Sequence, residues 1–306
     1  MPSEEDAQGV GGRRTPTPPR VKPDASAAPE DDVRGVGGRR TPTPPQVDPD
    51  ASAAPEWFAS TRRITVLTGA GISTDSGIPD FRGPQGVWTR NPGAAAMFTL
   101  DNYIADPDVR RQAWRNRREH PAWTAEPNAG HRALVDLERA GRLRAIVTQN
   151  IDGLHQKAGS DPALVVEIHG TLWYTQCLNC GNRATMEETL ARVDAGETDP
   201  PCELCGGILK SATISFGQAL EPRVLQAAVN AVRDCDLLLA VGTSLTVHPA
   251  AGLVDVALAS GARVMILNAE PTPYDQVADA VVREPIGTSL PAMVAAAVGQ
   301  VPDSGR

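Results

Sequence analysis

The 306-residue chain has few aromatic residues and no long apolar segment. Phe, Trp and Tyr together make up 4% of it, and its longest apolar stretches, such as Leu237 to Val241, fall far short of the roughly 20 residues that cross a bilayer. The amino terminus carries Glu4, Glu5 and Asp6, where an export signal would have a basic and then an apolar stretch. These absences argue against a membrane protein and lead us to expect a cytoplasmic location.

The chain also lacks an excess of basic charge. It has 29 Lys and Arg against 37 Asp and Glu, which gives a formal net charge of −8. Residues 57–306 alone hold 22 basic and 27 acidic side chains, so their net charge is −5. Because proteins that bind nucleic acid concentrate basic residues on one surface, we do not expect nucleic acid to be a direct partner.

The first 56 residues lack the side chains that build a core. They contain 11 of the 27 prolines and no Phe, Trp or Tyr, and such a segment cannot bury enough apolar surface to fold. They also contain a tandem duplication, because Gly9 to Glu30 recurs as Gly35 to Glu56 with two substitutions. Two copies without periodic apolar residues cannot stack as a solenoid. We therefore predict a disordered Pro/Ala/Gly-rich tail over residues 1–56, with a partner-docking role for its TPTPP segments as the alternative.

From Trp57 onward, apolar β-branched runs alternate with amphipathic stretches, which is typical of a parallel sheet covered by helices on both faces. The predicted strands are Ile64 to Leu67, Ala145 to Thr148, Val165 to Ile168, Leu237 to Val241 and Val264 to Leu267. The predicted buried helix faces are Ala133, Leu134, Leu137 and Ala140, with a stop at Gly141, and Leu225, Ala228, Val229 and Val232. The expected fold is a doubly wound, Rossmann-like α/β domain, whose ligands bind beyond the carboxyl ends of the strands.

Glycines and small polar residues follow the first and fourth predicted strands. In the segment Gly69 to Ser73, glycines let backbone amides approach a phosphate. Thr74 occupies the position of the third glycine of a dinucleotide fingerprint, however, so a tight structural turn explains this loop almost as well. The segment Gly242 to Ser244 is open to the same two interpretations, phosphate binding or capping of the next helix. Asn268, at the end of the fifth strand, is a candidate for a ribose contact.

Polar side chains with more specific chemistry follow the second and third strands. The segment Thr148 to His155 contains amides, a carboxylate and an imidazole within eight residues. Asn and Gln side chains can bind ribose hydroxyls, and Asp152 can accept the N–H donors of a carboxamide such as nicotinamide. His169 ends the third strand, and an imidazole with an ordinary pKa near 6.5 is available there as a proton acceptor. A single histidine is more often structural, but its polar neighbours at a strand end favour catalysis.

Four of the five cysteines form two Cys-x2-Cys pairs. Cys177 pairs with Cys180 and Cys202 with Cys205, and 21 residues separate the pairs. This spacing is typical of a four-thiolate zinc site, and the alternative of two disulfides is disfavoured in a reducing compartment. Because four thiolates leave no open coordination position, we predict one structural zinc. Cys235 precedes an apolar strand, which predicts a buried, inert thiol.

Together these motifs resemble those of the sirtuin family of NAD-dependent protein-lysine deacylases. The resemblance runs from about residue 60 to residue 295 and rests on the Gly69 loop, Ser76 to Arg82, Thr148 to His155, the His169-Gly170 pair and the zinc pairs. It implies a bacterial-type catalytic domain over residues 57–302. The implied parts are a Rossmann-like part over about 57–82, 128–170 and 219–302, a helical insert over about 83–127 and a zinc module over about 171–218.

The resemblance also implies a role for each matched residue. His169 would be the general base, Asp152 would hold the carboxamide of nicotinamide, and Gln149 and Asn150 would position its ribose. The other implied cofactor contacts are Gly69, Ala70, Gly71, Ile72, Asp80, Phe81, Arg82, Ile151, Gly242, Thr243, Ser244, Asn268, Ala269, Glu270 and Ile286.

In the implied reaction NAD is consumed as a co-substrate. The acyl-lysine oxygen attacks the sugar as nicotinamide leaves, and the products are free lysine and O-acyl-ADP-ribose. Such chemistry needs an oriented sugar, a site closed to water and a histidine that is neutral at the working pH.

The implied partners are acyl-lysine proteins or peptides, bound by strand addition. The substrate backbone would pair between a segment that contains Phe216 and Gly217 and a segment that contains Val247. Gln218 stands where many family members have Glu, which removes a negative charge beside the peptide and leaves the attraction of basic substrates open.

The acyl pocket departs from one pattern of the family. Members that prefer succinyl or malonyl groups have a Tyr-x-x-Arg pair, whereas this chain has Trp114 and Arg117. Because an indole is bulkier than a phenol and only donates hydrogen bonds, we expect acetyl or another uncharged acyl group. For Arg117, the alternative to contact with an acyl carboxylate is a solvated helix face, since four further arginines surround it.

Two other functions fit the same motifs. A protein mono-ADP-ribosyltransferase would use the same cofactor pocket and base, and nicotinamide release with an unacylated acceptor would favour it. A non-catalytic NAD or ADP-ribose sensor would not need His169 together with Asn150 and Asp152. A hydride-transferring dehydrogenase is less consistent with the sequence, because the third glycine is missing.

Overall fold

The computed structural model describes residues 55–91 and 99–299. The predicted tail lies outside these residues apart from Pro55 and Glu56. The strands are β1 (Ile64–Thr68), β2 (Leu143–Thr148), β3 (Val165–Glu167), β4 (Gly170–Cys177), β5 (Arg183–Thr185), β6 (Leu209–Thr213), β7 (Leu237–Val241), β8 (Arg263–Leu267) and β9 (Ala280–Val282). The helices are α1 (Glu56–Ser60), α2 (Val87–Arg90), α3 (Leu100–Ala105), α4 (Pro107–Arg118), α5 (Ala129–Arg139), α6 (Leu154–Ala158), α7 (Met186–Asp194), α8 (Pro222–Arg233), α9 (Leu253–Ala259) and α10 (Ile286–Val298).

Six strands form a parallel sheet in the order β3-β2-β1-β7-β8-β9. The chain winds outward in one direction from β1 and in the other from β7, so the order reverses between these two strands. Their carboxyl ends, Thr68 and Val241, are neighbours in the sheet. This strand order confirms the predicted doubly wound fold. Because such sheets bind ligands at the reversal point, the carboxyl edge beside β1 and β7 is the place to look for a site.

The predicted strands agree with the structure within two residues at each end. Leu237–Val241 has the predicted bounds, and β2 begins two residues earlier than expected. Alternate residues of the strands face opposite sides, as the period of two requires. Val66 and Leu239 pack in one core with α5 and α10, while Leu67 and Leu238 pack in a second core with α8 and α9. The short strand β9 was not predicted.

Helix α5 shows how local sequence sets a helix boundary. Asn128 caps its amino end, since its side chain accepts from the amide of Gly130 at 2.9 Å, and Nδ1 of His131 accepts in return from the Asn128 amide at 3.3 Å. Gly141 follows the helix with φ of 67°, a left-handed conformation that favours glycine, so the predicted stop is confirmed. Ala140 was placed wrongly on the buried face, because it lies at the carboxyl cap and is exposed.

The second predicted helix face is largely confirmed in α8. Ala228 and Val232 are fully buried, and Leu225 and Val229 are half-buried. Among the residues that the structure describes, no helix combines the length and the apolar character needed to cross a bilayer.

A second, antiparallel sheet has the strand order β5-β4-β6. Cys177, one of the four paired cysteines, is the last residue of β4. This sheet was not predicted, because β5 and β6 are short and carry polar side chains. The sheet begins directly after the third parallel strand, since β4 starts at Gly170 and pairs there with Thr213. This connection places the start of the antiparallel sheet beside His169. The predicted segment boundaries of the three parts remain predictions.

Candidate active site

A cavity of about 1130 Å³ lies at the carboxyl edge of the parallel sheet. It is lined by residues that follow β1, β2, β3, β7 and β8, together with residues from the helical stretch before α5. All the cofactor and substrate residues that the sequence predicts line this cavity, except Ile72. The side chain of Ile72 is 1% exposed and packs in the core, so any ligand contact at this position falls to its backbone.

The glycine loops after β1 and β7 pack directly against each other. The amide of Gly71 donates to the carbonyl of Gly242 at 2.9 Å, and a Cβ atom on Gly71 would lie 2.7 Å from the Cα atom of Gly242. Gly242 itself has φ of 61°. Side chains at these two positions would force the loops apart, and their absence leaves backbone surface exposed to a ligand. Both loops line the cavity, so a ligand with a phosphate group can approach this cradle.

Asn150 and Asp152 are held by a buried hydrogen-bond network. The Asn150 side-chain amide donates to the carbonyl of Gly69 at 3.1 Å and to Oγ of Ser73 at 3.2 Å. Oγ of Ser73 in turn donates to Oδ2 of Asp152 at 2.8 Å, and the amide of Leu154 donates to Oδ1 at 2.9 Å. The loop after β1 thus fixes the orientation of both predicted residues after β2.

The electrostatic setting of Asp152 suits a ligand that donates hydrogen bonds. Its burial raises the pKa of the carboxyl group, and the bonds from Leu154 and Ser73 oppose this shift. Each oxygen already accepts one bond, and each has a further lone pair. A carboxamide N–H can therefore be received without breaking the existing network.

His169 is oriented by a backbone carbonyl. Its Nδ1 lies 3.1 Å from the carbonyl oxygen of Gln149, and because a carbonyl only accepts, Nδ1 carries the proton of the neutral ring. Nε2 is therefore the atom with the free lone pair. Burial lowers the pKa of His169, while the bond to Gln149 opposes the shift. The neutral, proton-accepting form is thus favoured in this position.

Gln149 also joins the ends of two strands. Its side-chain amide donates to Oγ1 of Thr243 at 2.9 Å, and its own amide nitrogen donates to the carbonyl of Thr68 at 2.9 Å. The predicted cofactor loops after β1, β2 and β7 are therefore connected to one another in one site.

Aromatic side chains line the cavity at the segment after Pro79. Phe81 and Trp88 have ring centroids 4.9 Å apart, and Trp88 is 5.4 Å from Phe216. The guanidinium carbon of Arg82 lies 4.5 Å from the Trp88 centroid. The predicted cofactor residues Phe81 and Arg82 thus meet the predicted substrate residue Phe216 through Trp88, which the sequence analysis did not identify.

Two basic side chains line the cavity beside helix α4. Arg117, from α4, and Lys210, from β6, both line it, and neither has a carboxylate partner within residues 55–91 and 99–299. Burial lowers the pKa of Lys210 to about 7, and the charge of Arg117 adds to the shift. Trp114 is 1% exposed, and its Nε1 has no hydrogen-bond partner among the described residues. The Lys210 ammonium donates to the carbonyls of Ser211 and Thr213, whereas the Arg117 guanidinium has no carboxylate partner among the described residues.

The four paired cysteines converge on one point outside the cavity. Their Sγ atoms all lie within 4.8 Å of one another, and Cys177 and Cys180 are 3.6 and 3.8 Å from Cys205 and Cys202, respectively. A tetrahedral zinc with Zn–S bonds of about 2.3 Å separates its sulfurs by about 3.8 Å, whereas a disulfide needs about 2.05 Å. The residues fit zinc and do not fit disulfides. The predicted inert thiol of Cys235 is buried and donates to the carbonyl of Val232 at 3.0 Å.

Several cavity residues had not been predicted from the sequence. Ser73 lies within the glycine motif but gave no sign that it would hold both Asn150 and Asp152. Lys210 lies on an unpredicted strand. Arg283 follows the unpredicted strand β9, and no local motif marks it.

Comparison with known proteins identifies relatives over nearly all of the described chain. The Sir2 family matches residues 69–249. The NAD-dependent protein deacetylase 2 of Streptomyces coelicolor is 54% identical over 231 residues, which cover 76% of this chain and 96% of that protein. The NAD-dependent protein deacetylase 1 of Bradyrhizobium diazoefficiens is 43% identical over 237 residues, which cover 77% of this chain and 91% of that protein.

A solved complex of Sir2 with a p53 peptide and NAD+ has a similar fold. Its TM-score with this structure is 0.69 at 33% sequence identity, and the match covers 79% of this chain and 95% of that one. The matched length is close to that of the residues that the structure describes.

Proposed function

Because the chain belongs to the Sir2 family, we propose that it is an NAD-dependent protein deacetylase, which removes acetyl groups from protein lysines and releases nicotinamide and O-acetyl-ADP-ribose. One observation carries the proposal. The oriented, neutral His169 lines the same cavity as the Gly71–Gly242 cradle and the network that holds Asp152. The groups proposed as base, phosphate cradle and carboxamide acceptor thus line one cavity at the carboxyl edge of the sheet.

The site residues have distinct tasks in this proposal. The cradle and Ser244 hold the pyrophosphate, Asn268 the adenosine ribose, Gln149 and Asn150 the nicotinamide ribose, and Asp152 the carboxamide. When bound, NAD supplies an electrophilic sugar carbon. Nε2 of His169 accepts a proton from a ribose hydroxyl, and burial keeps the ring neutral for this purpose. Phe81 and Trp88 exclude water from the reacting carbon.

The peptide would bind as an added strand beside Phe216, Gly217 and Val247, which line the cavity. The side chain of Gln218 accepts from the amide of Ser215 at 3.1 Å. A glutamate could make the same bond, so Gln218 keeps the loop conformation and removes the charge. We expect weaker attraction of basic peptides than a glutamate would give.

An acidic acyl group is a second candidate substrate, favoured by Arg117 and Lys210. A buried cation without a counter-ion is costly, and an acyl carboxylate would supply the missing charge. Acetyl- and succinyl-lysine versions of one peptide decide between the candidates. Succinyl turnover an order of magnitude faster than acetyl turnover would overturn the acetyl preference, and Arg117→Gln should then abolish the difference while Arg118→Gln, on the exposed face of the same helix, should not.

The decisive experiment is mass spectrometry of mixtures of the protein, NAD and an acetyl-lysine peptide. We expect O-acetyl-ADP-ribose from the wild-type protein and turnover lower by about 10³-fold in His169→Ala, with ADP-ribose affinity retained. His131→Gln changes a buried histidine that does not line the cavity, so it is the control and should keep turnover.

Two results would contradict the proposal. ADP-ribose attached to an unacylated protein acceptor would indicate a mono-ADP-ribosyltransferase. Binding of NAD without any release of nicotinamide would indicate a sensor.

A further inference from the structure

Arg283 joins the end of β9 to the loop that follows β8. Its Nη1 donates to the carbonyl of Asn268 at 2.7 Å and to the carbonyl of Glu270 at 2.8 Å. Its Nη2 forms an ion pair with Asp275. One planar guanidinium therefore bridges both ends of the segment 268–270 and a carboxylate on the next turn, a geometry that a lysine cannot reproduce.

This bridge determines which atom of Asn268 is available to a ligand. Nδ2 of Asn268 donates to the carbonyl of Glu270 at 2.7 Å, the same carbonyl that accepts from Arg283. Because a carbonyl only accepts, the amide nitrogen must face Glu270. Oδ1 then remains as the acceptor of the side chain, and no donor to it is found among the described residues. A ribose hydroxyl is a suitable donor.

Asp275, the carboxylate partner of Arg283, is itself held by hydrogen bonds from Thr272. Oδ1 of Asp275 accepts from Oγ1 of Thr272 at 2.7 Å, and Oδ2 accepts from the amide of Thr272 at 3.1 Å. The Asp275 side chain is 18% exposed and that of Arg283 37%, so the ion pair is partly screened by solvent. The carbonyl bonds and the ion pair act together to order a loop in which Ala269 and Glu270 are exposed.

We propose that Arg283 is a positioning residue for the cofactor. It holds the segment 268–270 in the conformation in which Oδ1 of Asn268 can accept from the adenosine ribose, so the loop need not be ordered at the moment of binding. This inference rests on the proposed function, which assigns the adenosine ribose to Asn268. Arg283 acts through the loop and is distinct from the groups that contact the reacting atoms.

The test measures ADP-ribose binding by calorimetry and steady-state kinetics in Arg283→Gln. We expect the Kd for ADP-ribose and the KM for NAD to rise about tenfold, because three bonds from a charged donor are lost. The kcat at saturating NAD, the KM for the peptide and the inhibition constant for nicotinamide should stay within twofold. Arg263→Gln is the matched control, since Arg263 lies at the start of β8 with its guanidinium 4.7 Å over the Trp57 ring and does not line the cavity.

Two results overturn the inference. An ADP-ribose Kd within twofold of wild type in Arg283→Gln contradicts it directly, and equal losses in kcat, peptide binding and cofactor binding would indicate general structural damage instead of positioning. If Arg283→Gln does not fold, Arg283→Lys and Asp275→Asn take its place. Each weakens the bridge without removing it and should raise the Kd about threefold, while unchanged affinity in both overturns the proposal.

The proposed function fails in a different way. A wild-type protein that does not bind ADP-ribose would overturn the proposed function together with this inference. A wild-type protein that binds ADP-ribose, with unchanged binding in the Arg283 variants, would overturn the inference alone.

Discussion

The parallel sheet and the predicted zinc module, over about residues 171–218, are stabilised in different ways. Each face of the parallel sheet packs against helices in a core of fully buried aliphatic side chains, such as Leu239 on one face and Leu238 on the other. The apolar cluster beside the antiparallel sheet is small, and two of its members, Cys177 and Cys202, are predicted zinc ligands. The sheet therefore depends on many weak contacts, and the module depends on four sulfur atoms.

The catalytic edge combines the two regions. His169 lies between β3 of the parallel sheet and β4 of the antiparallel one, and its carbonyl accepts from the amide of Ile214, directly after β6, at 2.8 Å. A zinc ion that only held the module together would thus still control the position of His169, the proposed general base. We therefore expect that a substitution in the module lowers activity more than a substitution in the core of the parallel sheet that destabilises the protein equally.

The largest expected effect is from loss of the metal. Cys202→Ser should lower zinc content from one per chain to near zero, unfold the module and reduce deacetylation by about 100-fold or more, because the β4–β6 pairing beside His169 is lost. Zinc analysis, circular dichroism and turnover measure this. Cys235→Ala is the control and should retain zinc and activity. Full activity of a zinc-free Cys202→Ser protein would contradict the dependence of the catalytic edge on the module.

The next largest effect is on stability, and it differs between the core of the parallel sheet and the apolar cluster of the module. Leu239→Ala should lower the free energy of unfolding by about 3 kcal/mol, because it removes a fully buried side chain from a core that cannot collapse around the gap. Leu190→Ala, at a half-buried position in the module, should cost about 1 kcal/mol. Urea titration of both variants gives these values. Equal costs would show that the module core contributes more than its size indicates.

The parallel-sheet region should also show a stability that depends on pH in the acid range, because it contains two buried histidines. Burial lowers the pKa of His131 to about 4 and that of His155 to about 3, with Arg132 adding to the first shift and His131 to the second. Between pH 6.5 and 4 the unfolded chain binds both protons and the folded chain does not. The free energy of unfolding should therefore fall as pH falls, by about 1.4 kcal/mol per pH unit for each histidine, and the loss should level off below the folded pKa values.

His131→Gln isolates one of these contributions. Glutamine at the third helical position can keep the reciprocal cap with Asn128, so the variant removes the titrating group and retains the helix start. The slope of unfolding free energy against pH, from urea titrations at pH 6, 5.5 and 5, should decrease by about 1 kcal/mol per unit. An unchanged slope would mean that His131 does not exclude a proton in the folded protein.

The smallest effect concerns the contact between α4 and the module. Nε of Arg110 donates to Asp199 at 2.7 Å in a largely buried ion pair, whose side chains are 11% and 23% exposed. Arg110→Gln should destabilise the protein by about 1 kcal/mol, whereas Arg111→Gln, which breaks an exposed pair on the same helix, should have almost no effect. Thermal unfolding compares the two variants. Equal shifts would show that α4 and the module are not stabilised by this pair.

The accuracy of the sequence predictions differs between the same two regions. The strands of the parallel sheet are continuous apolar runs, and the polar loops after them are short, so both could be located from local sequence. The cysteine spacing predicted which four cysteines cluster, because a tetrahedral metal site restricts the spacing within each pair. The antiparallel strands escaped prediction, because Lys210 and Ser211 in β6 break the apolar pattern. Ile72 was assigned to the cofactor site, although its side chain belongs to the core.

The sequence by itself determined the doubly wound sheet, the metal ligands and the residues after β1, β2, β3 and β7, because each of these depends on periodicity or on neighbours close along the chain. Only the tertiary structure decided how distant residues complete the site. Ser73 reaches Asp152 across 79 positions, Lys210 joins Arg117 in the cavity, and Arg283 returns to Asn268. Such contacts form between separate elements once the sheet brings them together, and no local pattern encodes them.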